Sequence, residues 1–276
     1  APDRKPFESD HAFDGFIGPI TNAILAKDPR SLTEARALFI ENSIPSSNPL
    51  GPGDFQAYAM QVRVALSERL TLIADSDGYA VVHPHNGPTQ DGWLNLGAGL
   101  KYVFWRDVEN QTIASGGLMY TAPTGGANAF SGRAFGDGLF SFFLSGGKEF
   151  ADQRTHLLAN IGYQVPVNET TNSSFYYTSL HLDRQYFCKF YPLVELNWYH
   201  YVQSGNHGIP NAVGEGDGLL NLGTSGVAGS DLVTFALGGK YRFTNRTELG
   251  AAWEFPISNQ NYLINNRLTV DFIVRY

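Results

Sequence analysis

Ser179 and His181 are two residues apart, so on a strand both project from one face. Asn197, on the following strand, can face the same way. A hydroxyl beside an imidazole base, with a third polar group to orient it, is what acyl transfer requires. The flanking residues do not resemble a lipase motif, however, and paired side chains on a strand face are commoner than triads. No catalytic residue is assigned. His83-Pro84-His85 offers two imidazoles to a metal, but a third ligand is missing nearby, so they read as exposed loop histidines. Gly214-Glu215-Gly216-Asp217-Gly218 is acidic and flexible, yet lacks the ligand spacing of a calcium loop and reads as a mobile surface loop. The single cysteine, Cys188, excludes a disulfide framework; by parity with Phe190 and Val194 it falls on the apolar face. Neither a metal nor a cofactor is expected.

The remaining chemistry-bearing residues are charges, and their spacing is informative. From about Thr33 onward, apolar and polar residues alternate with period two, as in strands with one apolar face. The final segment is the clearest. Leu268, Val270, Phe272, Val274 and Tyr276 form one face, and Arg267, Thr269, Asp271, Ile273 and Arg275 form the other. The same alternation places Arg63, Asp75, Asp77, Lys101, Lys189, Glu195, Lys240, Arg242, Glu248 and Glu254 on polar faces, and it puts Leu94 on an apolar face and Trp105 opposite one. Five short polar connections (67–69, 107–110, 151–154, 183–185 and 244–246) alternate with six longer ones (45–54, 83–92, 123–138, 167–174, 204–231 and 257–262). They join twelve strands, with both ends of the strand region on the short-turn side.

Composition narrows the class. The chain has 276 residues, a net charge of −7, 16% charged and 13% aromatic residues, and 30 glycines. It contains no run of about 18 apolar residues, the length of a membrane helix. The acidic balance argues against nucleic acid as a partner. What remains is an all-β protein. A soluble sandwich hides its apolar face, whereas a membrane barrel turns that face to lipid and lines its lumen with polar groups. The regular long–short alternation and the aromatics near strand ends (Tyr58, Phe104, Trp198, Phe243, Phe255 and Tyr276) favour the barrel. The expected architecture is a single closed antiparallel transmembrane β-barrel of about twelve strands spanning 33–276, with short periplasmic turns and longer extracellular loops. Residues 1–32, interrupted by Pro19 and Pro29, read as an irregular leader, periplasmic or plugging the lumen, with one helical turn near Thr21–Lys27. The lumen-lining charges are then Arg63, Asp75, Lys101, Glu195, Lys240, Arg242, Glu248, Glu254, Arg267, Asp271 and Arg275. The leader or the 204–231 loop can narrow the lumen further.

Two segments carry a resemblance. Leu268-Thr-Val-Asp-Phe-Ile-Val-Arg-Tyr276 resembles the assembly signal of bacterial outer-membrane barrels, an aromatic end preceded by alternate apolar residues: Leu268, Val270, Phe272, Val274 and Tyr276. Gly15-Phe16-Ile17-Gly18-Pro19-Ile20-Thr21-Asn22, with Asp28-Pro29-Arg30 and Thr33-Glu34-Ala35-Arg36, resembles secreted barrel proteins related to the transporter-like proteins of meta-pathway phenol degradation. The first resemblance implies the outer membrane of a Gram-negative bacterium, export through a cleaved signal peptide, and the lipid bilayer and barrel-assembly machinery as partners. The second implies passage of small molecules, aromatic ones among them. The leading expectation is a passive, porin-like channel for small solutes and not an enzyme. The alternative is a structural barrel subunit or membrane anchor with a closed lumen, within a homo-oligomer or larger membrane complex. An outer-membrane enzyme of phospholipase type, also twelve-stranded, comes third.

Overall fold

The computed structural model describes residues 4–126, 137–187, 189–260 and 262–276. Cys188 lies outside the described residues. The strands are β1 (Glu34–Ile44), β2 (Gly53–Ala65), β3 (Leu70–Ser76), β4 (Tyr79–His83), β5 (Gln90–Trp93), β6 (Leu96–Asp107), β7 (Thr112–Ala122), β8 (Leu139–Glu149), β9 (Thr155–Pro166), β10 (Ser174–Arg184), β11 (Phe190–Gln203), β12 (Asp231–Thr244), β13 (Thr247–Pro256) and β14 (Asn266–Arg275). Each pairs antiparallel with its neighbours, and β1 pairs with both β2 and β14, so the sheet closes on itself. β3 and β4 both pair with β2, one below the other, and β6 and β5 continue that arrangement on the next stave. These two pairs each count as one stave, which makes a closed barrel of twelve.

The alternation of residues explains closure. Backbone edges left unpaired in lipid are costly, so a membrane sheet must join its ends. Glu34 is aligned with Arg275 on one side and with Arg63 on the other, so the start of β1 and the end of β14 share the short-turn rim. Outward residues such as Leu100, Leu144, Ile161, Leu237 and Trp253 are half or more exposed, while their neighbours along each strand are buried or partly so. An exposed apolar belt running round a whole barrel has the character of a lipid-facing surface.

The break between β3 and β4 falls at Asp77-Gly78. Gly78 adopts φ +122°, and a Cβ there would lie 2.6 Å from the Tyr58 carbonyl oxygen. Asp77 accepts from the Met60 amide at 3.3 Å, standing in for a ladder bond. It therefore caps the break and does not line the lumen. Leu94, opposite this break, turns inward and is 5% exposed. A register shift between Val103 and Trp105 sends both Phe104 and Trp105 outward, so Trp105 leaves the face that simple alternation gives it. Lys189 also departs from expectation. β11 begins at Phe190, and Lys189 sits exposed just ahead of it, donating to the Phe243 carbonyl at 3.2 Å.

Leu237→Arg or Val270→Arg puts a charge on the outward belt and is expected to cost about 2–4 kcal/mol of folding free energy, against about 0–1 for Ala35→Arg near the rim. Denaturant-dependent folding into phospholipid bilayers measures this; equal costs at all three positions would contradict the outward assignment.

Candidate functional site

The interior of the ring is where side chains converge, and the leader occupies its short-turn half. It passes over the end of β14, where Ser9 donates to the Tyr276 carbonyl from its amide at 3.1 Å and from its hydroxyl at 2.6 Å. Asp10 caps a 3-10 turn at His11–Phe13 and receives both Arg106 nitrogens at 2.8 Å. Phe13 and Phe16 then pack on Val103, Ile113 and Leu158. Burying side chains of this size stabilises the docked form by about 1.5–3 kcal/mol each. Pro19 and Pro29, with Gly15 and Gly18, keep the segment irregular. At Gly15 a Cβ would lie 2.6 Å from Glu149 Oε2. The expected helical turn is a single one, closed by the Leu25 and Ala26 amides on the Asn22 carbonyl.

A chain that cannot form a helix must satisfy its backbone elsewhere, and the barrel wall supplies the partners. Glu195 accepts from the amides of Ile20 and Thr21 at 2.8 and 2.7 Å. Arg36 donates to the carbonyls of Pro19 and Ile20 at 2.9 and 3.1 Å, and Gln61 to that of Ala23 at 3.0 Å. Asn160 takes the Lys27 amide at 2.8 Å, and Ser145 donates to the Lys27 carbonyl. The Lys101 ammonium donates to the carbonyls of Asp28 and Arg30. These partners come from β1, β2, β6, β8, β9 and β11, so the leader is held from all round the wall.

The eleven charges assigned to the lumen are placed as follows. Arg63, Asp75, Lys101, Glu195, Lys240, Glu248, Glu254, Arg267, Asp271 and Arg275 are buried inside the ring, and Arg242 is partly so. Most share partners. Asp75 lies between Arg63 at 3.1 Å and Lys27 at 3.0 Å. Asp271 lies between Arg36 and Lys240, both at 2.8 Å, and Glu248 between Arg275 at 2.6 Å and Arg242 at 3.1 Å. Arg267 pairs with Asp217 and lies 3.6 Å from Glu254. Sequence reasoning missed Glu34, which joins Arg63 and Arg275 at 2.6 and 2.7 Å, and Arg36. It also missed Lys27, Asp28 and Arg30 of the leader. The signal was there in Glu34 and Arg36 on one parity of β1, but that face continues as Leu38 and Ile40 and looks mixed.

Within the leader, Asp28 and Arg30 form a buried pair at 2.6 Å. Burial alone would raise the Asp28 carboxyl, but the Arg30 guanidinium and its hydrogen bonds, with the Lys101 ammonium, hold it well below the usual carboxylate range. Burial lowers the Lys27 ammonium to about 8, against the pull of Asp75.

The long-loop half is filled differently. The 204–230 loop folds over the ring, and its Val213, Leu220 and Leu222 pack against Ile40, Ile44, Phe55, Val82, Leu94 and Leu263. Glu215 organises it, accepting from the Ser173 hydroxyl at 2.6 Å, the Gly216 and Thr224 amides at 3.0 Å, and the Leu222 amide. Burial nonetheless pushes its carboxyl up. The stretch read as a mobile acidic surface loop is thus the buried centre of a cap. Between cap and leader lies a layer of Phe143, Phe175, Tyr177, Tyr199, Tyr201 and Tyr262 with Leu25 and Val227. Two voids lined by cap residues, one of them touching Ile24 of the leader, measure about 20 and 30 Å³, room for one or two waters each.

The other candidates fall apart or take structural roles. Ser179 accepts from Asn22 at 2.8 Å, His181 is held between Glu195 and Asp183, and Asn197 donates to Thr21 and Glu254, so the three do not form a nucleophile–base line. His83 pairs with Asp54 at 2.7 Å on the outer wall, and His85 is exposed in the next loop. Leu268, Val270, Phe272, Val274 and Tyr276 share the outward face of β14, and the Tyr276 amide donates to the Thr33 carbonyl at 2.9 Å.

No protein-family model and no curated protein matches the chain in sequence. Solved structures do match in shape. An outer membrane channel from Pseudomonas putida F1 is 14% identical with a TM-score of 0.61, over 95% of this chain and 100% of that one. The translocator domain of the autotransporter NalP from Neisseria meningitidis is 12% identical with a TM-score of 0.51, over 88% and 87%. The KdgM porin in complex with disordered oligogalacturonate is 10% identical with a TM-score of 0.50, over 88% and 99%. At these identities the likeness is one of fold: a closed twelve-stranded antiparallel barrel whose structural neighbours include outer-membrane channels and porins.

The Asp28–Arg30 pair makes leader docking acid-sensitive. A carboxyl held low in the docked form contributes stability above its ordinary pKa of about 4 and loses it as pH falls below that. Asp28→Asn leaves a buried guanidinium unpaired, which costs about 3–5 kcal/mol. Protease cleavage within 9–32, at constant heat-modifiable mobility of the barrel, is expected below pH ~4 in the native chain and near neutrality in Asp28→Asn. Full protection of that variant would contradict the role given to the pair.

Proposed function

We propose that the chain is an outer-membrane channel for small solutes, held closed by a leader that plugs the periplasmic half of the lumen and by a cap over the extracellular half. One observation carries the reading. The leader is bound to the wall through hydrogen bonds and ion pairs, groups that water can replace when it leaves, and removing it exposes a wall of charged and amide side chains of the kind that lines aqueous pores. Twelve strands enclose a modest lumen, narrower than that of porins with 16–18 strands. The apolar belt, the short-turn and long-loop asymmetry and the channels among the fold's neighbours support the outer membrane as its location. The solute is small because twelve strands enclose a modest lumen, and aromatic molecules fall within that class.

A second reading has an observation of its own. Among the described residues most interior charges are ion-paired, which suits a closed structural subunit or anchor, alone, as a homo-oligomer or in a larger membrane complex. Planar-bilayer recording separates the two. The channel reading expects sparse openings from the intact chain and steady conductance after excision of residues 9–32. Silence of the excised form in several salts, with its barrel folded, would favour the structural subunit.

The outward face of β14 is proposed as the element read by the barrel-assembly machinery. Tyr276→Asp is expected to reduce inserted protein in cells several-fold while leaving refolding in detergent nearly unchanged; heat-modifiable mobility reports both. Normal insertion would contradict this route.

A further inference from the structure

On the outer wall, the belt of large apolar side chains is interrupted near the short-turn rim of β10–β12. Leu182, Val194 and Leu237 stand side by side, Leu182 opposite Val194 and Val194 opposite Leu237. The next outward positions toward the rim on these strands are Arg184, Pro192 and Gly239. Pro192 has no amide hydrogen to donate, and the β10–β11 ladder stops one residue short of it, at Asp183 opposite Leu193. Pro192 and Gly239 face each other across β11 and β12, so two small side chains occupy the row below the leucines. The result is a groove of about 450 Å³ between Thr155 and Arg184 on one flank and Leu237 on the other, with Pro192 and the Gly238 backbone in its lining. Its rim side is closed by the Phe190 ring, which lies so near Gly239 that a Cβ there would come within 2.8 Å of it.

The rim end of this groove is basic. The Arg184 side chain is 54% exposed, its ion-pair partner is Asp152 at 3.7 Å, and its guanidinium carbon lies 6.0 Å from the Tyr186 ring centroid. Arg154, Lys189 and Arg246 are exposed beside it. The Gln185 amide donates to the Arg154 carbonyl at 2.7 Å and the Arg242 amide to the Lys189 carbonyl at 2.8 Å, which ties these turns into one sector of the rim. Among the described residues of 150–154, 184–189 and 244–246, Asp152 is the one carboxylate against four cations, in a chain of net charge −7. Tyr186, Phe187, Tyr241 and Phe243 are exposed in the same sector, as rings at a membrane–water interface are. An apolar groove thus runs into a cationic, aromatic collar.

We propose that this groove binds one anionic glycerophospholipid, with an acyl chain along Leu182, Val194 and Leu237 and the phosphate on Arg184. The two halves of the site match the two halves of such a molecule. A guanidinium presents paired N–H donors to phosphate oxygens, and an exposed carboxylate at 3.7 Å is a weak competitor for them. Arg154, Lys189 and Arg246 add attraction for a net negative headgroup without having to touch it. A zwitterionic lipid supplies the chain but gains nothing from that surplus of positive charge. The proposal rests on the outer-membrane placement above, in which the short-turn rim meets the phospholipid leaflet, and it does not require an open pore.

Native mass spectrometry of the full chain in neutral detergent, titrated with phosphatidylglycerol, with phosphatidylcholine of the same acyl chains, or with lipopolysaccharide, tests the site. The native chain is expected to retain one phosphatidylglycerol about fivefold or more tightly than phosphatidylcholine. Arg184→Gln should abolish that preference. Val194→Trp, which fills the groove and leaves every charge in place, should weaken retention of phosphatidylglycerol by a similar factor. Arg69→Gln, on the exposed 67–69 turn of the same rim, should leave retention as it is. Heat-modifiable mobility shows which variants are folded, and either of the first two decides the matter if the other does not fold. Equal retention of the two phospholipids, a preference for lipopolysaccharide, or a loss in Arg69→Gln as large as in Arg184→Gln overturns the site. A chain that folds and stays monodisperse without detergent overturns the outer-membrane placement itself, whereas equal retention in a chain that requires detergent overturns the site alone.

Discussion

Charges taken out of water have to meet opposite charge and hydrogen-bond partners, because each unpaired buried ion costs several kcal/mol. The inside of this barrel is organised by that demand. Its wall places carboxylates, guanidiniums and ammoniums in a space that the leader and the cap enter from either end, and the two voids beside the cap have room for one or two waters each. Neighbouring strands answer part of it, as where Glu34 of β1 meets Arg63 of β2 and Arg275 of β14. The leader answers another part. Lys101 directs its hydrogen bonds to leader carbonyls, and Glu195 accepts leader amides. The leader is therefore a chemical component of the wall, and its own irregular backbone is satisfied by the same contacts.

The two halves of the lumen are closed by different physics. At the short-turn end, polar and ionic contacts dominate, and such contacts exchange readily with water and respond to salt and pH. At the long-loop end, Val213, Leu220 and Leu222 close over an apolar rim, above a layer of tyrosines and phenylalanines. Glu215 holds that cap in one shape by taking several donors at once, at the cost of a deeply buried carboxyl. A plug held by exchangeable contacts beneath a cap held by packing gives the two ends separate sensitivities.

The outer face follows a simpler rule. Hydrocarbon rewards a continuous apolar surface and penalises open backbone edges, so the strands alternate and the ring closes. Departures from alternation are local and have local causes. The break at Asp77-Gly78 is bridged by the Asp77 carboxylate, and the shift between Val103 and Trp105 turns two aromatics outward and brings Arg106 in to meet Asp10.

Residues two apart on a strand share a face whatever the rest of the chain does. For that reason the twelve-stave count, the long–short order of connections and the polar parity of Arg63, Glu195, Glu248 and Asp271 could be read from the sequence alone. Where alternation slips by one residue, parity stops predicting a side, and Leu94, Trp105 and Asp77 were misplaced. Partners across the lumen were not legible at all. Leader residues such as Thr21 and Lys27 meet Glu195 and Asp75 from distant parts of the chain, and His156 and His181 share Asp183 only because β9 and β10 pair in one register. Local sequence carries the period that makes a strand. Which charge answers which, and whether the lumen is empty or filled, depends on the three-dimensional balance of desolvation and pairing, which only the folded barrel decides.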